Sequence, residues 1–347
     1  MKKMTAKRYL IVLFLLGCSN AMAQDIHFSQ FYETAVLRNP ALVGIFSDDY
    51  KMGVVYRNQW SSISKPYQTG LASGELRIPI GGEVKDFVSV GLLAFYDKAG
   101  TINLQTLGVY PAVNYNKSLH DANNSFLSVG FTGGYVQRSY DPTKATFNNQ
   151  YQNGSYSASN PTGEQLPDPK INQWDVGAGV SFSSTAGESK NINYFLGFAG
   201  YHFTKPKSSL YNNELIRLEM KWNANAGLSM KLDGPFSLLV QANYQKQGTY
   251  SEIMVGAALG WNIMRDEKEK LFSINVGGYC RWGDALIPLL RVEYKDLAIG
   301  ATYDINISKL KAASNTRGGL ELTLFKTGIL HKANFDNSRT ACPQFFD

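Results

Sequence analysis

Charged residues, cysteines and long apolar runs are all scarce in this chain of 347 residues. Charged residues make up only 18% of the sequence, below the quarter that is usual in globular proteins. Beyond residue 23, no uncharged apolar run approaches the 18 residues that a membrane-spanning helix requires. Glycine (32 residues) and aromatic residues (13%) are plentiful instead. This composition is typical of a membrane β-barrel with a polar interior, although a secreted β-sandwich array shares much of it.

The chain also lacks the sequence signatures of catalysis and metal binding. It has only three cysteines, Cys18, Cys280 and Cys342, which are too few and too far apart for a disulfide framework. Neither Cys280 nor Cys342 has metal-ligand spacing to a histidine. There is no P-loop, dinucleotide fingerprint, CxxC or HExxH motif. We therefore expect no enzyme activity, no cofactor and no metal. The acidic pair Asp48-Asp49 is expected to lie in a solvated turn rather than to bind a metal. We expect all four histidines to be solvated or to lie at the membrane interface: His27, His120, His202 and His331.

The N-terminus has the features of a secretory signal peptide over residues 1–23. A basic stretch precedes a short apolar run from Tyr9 to Leu16, and Ala21-Met22-Ala23 offers a cleavage site before Gln24. A competing interpretation is a lipoprotein signal, with Cys18 as the acylated residue. Cleavage after residue 23 removes four positive charges from the formal net charge of +6, which leaves +2. Such a small net charge does not favour nucleic acid as a partner.

The mature chain is dominated by alternation of apolar and polar residues, the period of a β-strand. In residues 297–307 the odd positions carry Leu, Ile, Ala and Tyr, whereas the even positions are small or polar. Many segments are 10 residues or longer, which suits tilted membrane strands better than soluble ones. We count about 14 such segments: 51–57, 67–78, 87–97, 101–117, 125–139, 173–186, 191–203, 217–231, 235–246, 251–264, 271–283, 285–294, 296–307 and 318–327.

The connections between these segments sort by length. Those after odd-numbered strands include all the long ones, whereas those after even-numbered strands are short. Outer-membrane barrels have this asymmetry of long external loops and short periplasmic turns, and a soluble sandwich has no reason to show it. The prediction is therefore an all-β, transmembrane antiparallel barrel of about 14 strands.

The polar parity of the late strands carries charge, at Arg281, Arg291, Glu293 and Asp304. An Arg or Lys facing lipid at the midplane costs about 2–4 kcal/mol, so parity places these residues in the lumen. They could form a solvated ladder of charges, or a selectivity or docking feature. The same parity directs Leu290 and Ile305 towards lipid.

Two segments flank the predicted barrel of residues 51–327. Residues 24–50 lack clean alternation and could fold into the barrel as a plug or lie beneath it in the periplasm; Asn39-Pro40 breaks any helix there. Residues 328–347 follow the last aromatic strand and are predicted to form a short periplasmic tail.

Several motifs, in this order and spacing, resemble the PorP/SprF family of the type IX secretion system in Bacteroidetes. The resemblance extends over essentially the whole mature chain. The motifs that carry it are Gln24-Asp25-Ile26-His27-Phe28-Ser29-Gln30-Phe31-Tyr32, Arg38-Asn39-Pro40-Ala41-Leu42-Val43-Gly44, Tyr56-Arg57-Asn58-Gln59-Trp60, Tyr96-Asp97-Lys98-Ala99-Gly100, Gly134-Tyr135-Val136-Gln137, Asp284-Ala285-Leu286 and Tyr303-Asp304-Ile305-Asn306-Ile307-Ser308-Lys309-Leu310.

The resemblance implies an integral outer-membrane protein that secretes, or anchors at the cell surface, a cognate protein with a C-terminal signal domain. It implies as partners that C-terminal domain, other type IX components, including periplasmic or peptidoglycan-linked ones, and outer-membrane lipid. The alternative function is a channel or transporter for small hydrophobic or polar solutes, which requires an open lumen.

Candidate partner-binding residues lie at the predicted outer tops of the first and third strands: Arg57, Asn58, Gln59, Trp60, Asp97, Lys98 and Gly100. Arg and Trp are frequent anchors of protein interfaces. Trp60 could instead belong to the aromatic girdle, and Asp97 and Lys98 could form an ion pair or turn that fixes the hairpin. The longest predicted external loop, Tyr140 to Asn172, is rich in Asn, Ser, Tyr, Gly and Pro, like adaptable binding loops. With few large aliphatic residues, it is expected to become ordered only by contact with a partner.

Overall fold

The computed structural model describes residues 25–61, 65–80, 86–164, 169–210, 213–266, 269–309 and 311–330. Fourteen antiparallel strands form a closed barrel, as the alternation predicts. They are β1 (Tyr50–Gln59), β2 (Tyr67–Pro79), β3 (Phe87–Ala99), β4 (Leu104–Ser118), β5 (Phe126–Ser139), β8 (Lys170–Ala186), β9 (Ile192–Tyr201), β10 (Lys221–Lys231), β11 (Phe236–Gln247), β12 (Tyr250–Asp266), β13 (Glu269–Arg281), β14 (Ala285–Tyr294), β15 (Leu297–Asn306) and β16 (Arg317–Gly328). A separate hairpin, β6 (Tyr151–Gln152) and β7 (Ser155–Tyr156), lies in the connection between β5 and β8.

The barrel closes between its first and last strands. Tyr50 pairs with Gly328 at one end of this seam, and Gln59 pairs with Gly319 at the other. Because every barrel strand has two paired neighbours, the sheet exposes no open edge to the bilayer.

The barrel strands direct polar side chains towards the lumen and apolar side chains outward, the reverse of the arrangement in a soluble protein. In β15 the even-numbered positions are buried towards the lumen, whereas Ile299 and Ile305 are exposed on the outside. Arg281, Arg291, Glu293 and Asp304 are each no more than 3% exposed, inside the barrel, and Leu290 is 49% exposed outside it. The placement of these residues by parity is confirmed.

Exposed aromatic residues mark two levels on the outer surface. One belt lies near the end of the barrel where β1 finishes, and includes Tyr56, Tyr96, Trp174, Trp222 and Tyr303. A second lies near the opposite end, and includes Tyr115, Phe236, Trp261 and Tyr294. Such belts sit at the two membrane–water interfaces of an outer-membrane barrel.

The long connections all lie at one end. There the strands are joined by residues 60–66, 100–103, 140–169, 202–220, 248–249, 282–284 and 307–316. At the opposite end they are joined by residues 80–86, 119–125, 187–191, 232–235, 267–268 and 295–296. Since long loops of such barrels face outward, we call the first the outer end and the second the inner end.

None of the helices in the described ranges has both the length and the apolar character needed to cross a bilayer.

Candidate functional site

Residues 25–49, called the plug segment below, lie inside the barrel. They form two short 3-10 turns, Phe31–Glu33 and Pro40–Leu42, on either side of a four-residue helix, Ala35–Arg38. The residue before a proline avoids helical geometry, and Asn39 accordingly ends the helix in an extended conformation. Its side-chain oxygen then accepts a hydrogen bond from the backbone N–H of Ala41 (2.9 Å) and caps the next turn.

The plug segment is anchored at the outer end through Asp25. One oxygen of the Asp25 carboxylate lies 2.7 Å from Lys221 Nζ and 2.9 Å from His202 Nε2. The other ring nitrogen of His202 lies 2.8 Å from Asp175. His202 directly follows β9, Lys221 begins β10, and both side chains are nearly fully buried. This cluster of opposite charges, the outer clamp, fixes the start of the plug segment.

Charged side chains of the barrel wall hold the following residues of the plug segment, from His27 to Gln30. Both oxygens of Glu321 on β16 accept backbone N–H bonds, from Ser29 (2.8 Å) and Gln30 (2.7 Å). Arg57 on β1 pairs with Glu321 (3.1 Å) and Asp304 (2.8 Å) and donates to the carbonyl of His27 (3.0 Å). Arg281 joins the same cluster through Asp304 at 3.1 Å. Buried charges of this kind persist only when they are paired and hydrogen-bonded.

Further along, charge on the plug segment matches charge on the wall. Glu33 pairs with Lys51 on β1 (2.8 Å) and with Arg291 on β14, and Arg291 also pairs with Glu293. Arg38 donates to the side chain of Gln241 (2.7 Å), and its guanidinium lies over the ring of Phe31 at 4.7 Å from the centroid.

The wall is shaped to the backbone of the plug segment around Pro40. Asn114 and Ser181 both donate to the carbonyl of Ala41, each at 3.0 Å. A Cβ atom built on Gly130 of β5 would lie 2.3 Å from the carbonyl carbon of Pro40. Since real side chains do not approach so closely, only glycine at this position lets the plug segment lie against the strand.

At the inner end the plug segment joins the barrel rim. Gly44 donates its backbone N–H to Glu75 on β2 (2.8 Å). Asp49 donates to the carbonyl of Gly328 (2.9 Å) and accepts from the N–H of Arg77 (2.8 Å). A cavity of about 50 Å³ remains beside Arg38, Leu42, Phe46 and Lys51, with room for a few water molecules. The plug segment thus fills much of the lumen along its whole length.

The structure corrects the placement of Arg57. The sequence places it on the outer rim with Asn58, Gln59 and Trp60, but its side chain is 1% exposed and points into the lumen. The reason is strand parity, because Arg57 shares its face with buried Val55, whereas Tyr56 faces lipid. Asn58, Gln59 and Trp60 do lie at the outer rim, half-buried, where Trp60 packs edge-on against Tyr67 with ring centroids 4.9 Å apart.

The turn after β3 lies on the same rim. Asp97 accepts a hydrogen bond from the hydroxyl of Thr69 on β2 (2.6 Å), which ties two strands together near their outer ends. Lys98 is half-buried beside it, and Gly100 adopts a φ of +67°, the left-handed conformation that favours glycine. Asp97 therefore braces the rim through Thr69 rather than through an ion pair with Lys98.

The largest outer loop, residues 140–169, has internal structure. Gln150 is buried within it, and its side chain accepts the N–H of Phe147 (3.0 Å) and donates to the carbonyl of Asn160 (3.4 Å). In its described part, hydrogen bonds to one buried amide hold the loop in place of an apolar core. That contact with a partner orders the loop stays a prediction. Its hairpin exposes Tyr151 (61%) and Tyr156 (48%).

The outer clamp was not predicted from the sequence. The expectation that every histidine is solvated or at the membrane interface is wrong for His202, which is 3% exposed between two carboxylates. Parity could have placed Arg57 in the lumen with Asp304 and so indicated a buried charge cluster. Within the described residues, no cluster of His, Cys, Asp or Glu is arranged to hold a metal ion. The proposed signal peptide (residues 1–23), Gln24 and the end of the proposed tail (residues 331–347) lie outside the described residues.

Several solved structures are similar to this chain. A Pseudomonas aeruginosa FadL homologue is 11% identical, with a TM-score of 0.50 over 86% of this chain and 94% of that one. The Ralstonia pickettii toluene transporter TbuX is 9% identical, with a TM-score of 0.47 over 85% and 93%. CdiB from Acinetobacter baumannii is 8% identical, with a TM-score of 0.43; 80% of this chain matches 60% of CdiB. At these identities the likeness concerns the fold alone.

The match to a protein family is more specific. No curated protein matches the chain, but the family model of the type IX secretion system membrane protein PorP/SprF matches residues 20–325. That range includes the plug segment and all but the last three residues of the barrel wall, and it agrees with the resemblance seen in the motifs. The chain is therefore an integral outer-membrane β-barrel that belongs to the PorP/SprF family of type IX secretion system membrane proteins.

Proposed function

We propose that this barrel binds a cognate type IX-secreted protein at its outer face, through that protein's C-terminal domain, for secretion or surface anchoring. The observation that carries the proposal is the plug segment inside a barrel of this family. A lumen occupied along its length by hydrogen-bonded and ion-paired chain suits a binding role better than a solute pore. The role is non-enzymatic, and the short inner turns are where other type IX components would make contact.

The docking surface that we propose is the outer loop 140–169 together with the rim residues that face outward. The loop presents Tyr151 and Tyr156 on its hairpin, and tyrosine is enriched in protein interfaces. Asn58, Gln59 and Trp60 supply a neighbouring stretch of rim, and Lys98 and Gly100 another. Arg57 and Asp97 support this rim from within, through Asp304 and Thr69.

The test is to replace residues 144–168 by a Gly/Ser linker. We expect a heat-resistant barrel at normal level, and release into the medium of the cognate protein that is otherwise kept at the surface. The finer variant Tyr151→Ser/Tyr156→Ser should act in the same direction, whereas Ser157→Ala/Ser159→Ala, in the same loop, should not. Unchanged surface retention with the shortened loop would show that docking occurs elsewhere.

The channel alternative makes a different prediction for the purified protein in planar bilayers. A barrel that keeps its plug segment should show no steady conductance, because buried side chains and backbone of residues 25–49 occupy the lumen. A stable, open conductance of the unmodified protein would favour transport of small solutes over docking.

A further inference from the structure

The outer end of the barrel carries a cluster of cations on one side, where β15 and β16 meet. Its members are Lys309 and Lys311, in the connection 307–316, and Arg317, the first residue of β16. We call these three residues the basic patch. All three are exposed, and none of them forms an ion pair with a carboxylate of the described residues.

Three carboxylates of the same region are turned away from the basic patch. Asp304 and Glu321 are buried in the lumen, each no more than 2% exposed. Asp284 lies closer, because its backbone carbonyl accepts the N–H of Ser308 (3.1 Å). Its carboxylate, however, pairs with Arg281 at 3.0 Å. The basic patch therefore presents its positive charge to the surroundings of the barrel.

The connection that carries the two lysines is held from beneath. Asn306, the last residue of β15, donates from its side-chain amide to the hydroxyl of Ser314 (3.1 Å) and to the carbonyl of Arg317 (3.2 Å). Ser314 is 1% exposed. Cations that are fixed in this way lose less freedom when they bind an anion. An open groove of about 580 Å³ lies beside them, lined by Lys309, Lys311, Ala312, Asn315 and Thr316.

The basic patch lies just beyond the lipid-facing surface. The outward positions Tyr303, Ile305 and Ile307 are all exposed, and Tyr303 belongs to the outer aromatic belt. Lys309 follows two residues after Ile307, past the end of β15, and Arg317 lies opposite Ile305 in the pairing of β15 with β16. Since the belt marks the membrane–water interface, the patch is at the level of the lipid headgroups.

We propose that the basic patch binds the phosphate groups of a phosphorylated glycolipid in the outer leaflet. Phosphate accepts charge-assisted hydrogen bonds from Lys and Arg, and the planar guanidinium of Arg317 can donate two of them at once. Clusters of cations beside a membrane attract anionic headgroups in the same way. A lipid fits better than a free phosphate ion, because the row of apolar side chains that ends at Ile307 offers a surface to its acyl chains. The inference does not depend on the proposed docking of a secreted protein.

Lipid binding by the purified barrel tests the inference. Native mass spectrometry of the barrel in detergent, titrated with lipid A, measures the lipid that each variant retains, and dephosphorylated lipid A is the comparison. The patch variant is Lys309→Ser/Lys311→Ser/Arg317→Ser. The matched control also removes two exposed lysines and one exposed arginine at the outer end, but on the opposite side of the barrel, around β8 to β10. It is Lys170→Ser/Lys205→Ser/Arg217→Ser. Heat-modifiable mobility shows that each barrel has assembled.

We expect the patch variant to bind lipid A roughly a hundredfold more weakly than the unmodified barrel, since each cation near an anionic surface contributes about fivefold. The matched control and the charge-retaining variant Lys309→Arg/Lys311→Arg should bind lipid A as the unmodified barrel does. Dephosphorylated lipid A should bind all of the barrels weakly.

Equal binding of lipid A by the patch variant and the unmodified barrel overturns the inference, and so does equal binding of the two lipids by the unmodified barrel. Displacement of lipid A by inorganic phosphate at equal concentration would identify a site for a free ion instead. If the patch variant binds lipid A normally but no longer keeps the cognate secreted protein at the cell surface, the cations serve a protein partner and the lipid is excluded.

Discussion

At the scale of single residues, buried charge decides how the plug segment is held. Arg57 is the clearest case, because its guanidinium contacts two carboxylates of the wall and the carbonyl of His27. Its planar fork can serve these acceptors together, which a lysine ammonium cannot do. Removal of one member of such a buried group typically costs about 3–5 kcal/mol, because the remaining charges lose their partner.

We therefore expect Arg57→Met to weaken both the barrel and the hold on the plug segment. The measurement is the denaturant midpoint of the heat-resistant form in detergent. Arg57→Lys keeps the charge, and its denaturant midpoint should lie between those of the unmodified protein and Arg57→Met. Arg317→Met removes an arginine from the exposed outer start of β16 and should leave the midpoint unchanged. A stability of Arg57→Met equal to that of the unmodified protein would contradict the role assigned to Arg57.

The outer clamp gives a prediction about pH. Burial alone would lower the pKa of His202, but Asp25 and Asp175 outweigh burial and raise this pKa to about 9, from an ordinary value of 6.5. The contribution of His202 to stability is thus fully present below pH 6.5 and is lost as the pH rises through 9. We expect the stability difference between the unmodified protein and His202→Gln to be largest below pH 6.5 and to vanish above pH 10. His120→Gln, in an exposed inner turn, should show no such trend; a pH-independent difference for His202→Gln would rule out the charged clamp.

At the scale of structural elements, the plug segment depends on glycine in the wall. Gly130 and Gly133 lie on the same strand, yet a Cβ on Gly130 would collide with Pro40 and Ala41, whereas one on Gly133 would meet nothing within 4 Å. Substitution of Gly130 should therefore disturb both the plug segment and the strand, whereas substitution of Gly133 should disturb the strand alone.

We expect Gly130→Ala to displace the plug segment and to open the lumen to ions, while Gly133→Ala leaves it closed. Conductance of the two purified variants in planar bilayers is the measurement, with heat-modifiable mobility as the check on assembly. Equal conductance of the two variants would mean that the fit around Pro40 does not keep the plug segment in place.

The strands could be predicted from the sequence, but the position of the plug segment could not. Period-2 alternation is written within each strand, and all fourteen barrel strands lie within a few residues of their predicted bounds. The contacts of the plug segment join residues such as Gln30 and Glu321, which are 291 positions apart, and no local pattern pairs them. His202 was missed for the same reason, because both of its carboxylates come from other elements.

At the scale of the whole molecule, the barrel reverses the arrangement of a soluble protein, because charged side chains lie in its lumen and apolar side chains cover its outer surface. Leu290 is 49% exposed to the lipid side, and the adjacent Arg291 is 2% exposed inside. We expect Leu290→Arg to reduce the folding free energy by about 2–4 kcal/mol, because it places a charge in the hydrocarbon region. Reversible unfolding in urea from lipid vesicles is the measurement, and Leu290→Phe, which stays apolar, is the control. A similar loss for both variants would attribute the effect to size rather than to charge.

The seam between β1 and β16 has a consequence for the order of assembly. Its two strands are joined by their backbone ladder and also by Arg57, which pairs with Glu321 while Glu321 binds Ser29 and Gln30. The first and last strands therefore meet around a residue pair of the plug segment. Threading this segment into a finished ring would require charged and polar groups to slide past a closed wall. We therefore expect the plug segment to enter the curving sheet before β1 and β16 pair, so that the barrel closes around it.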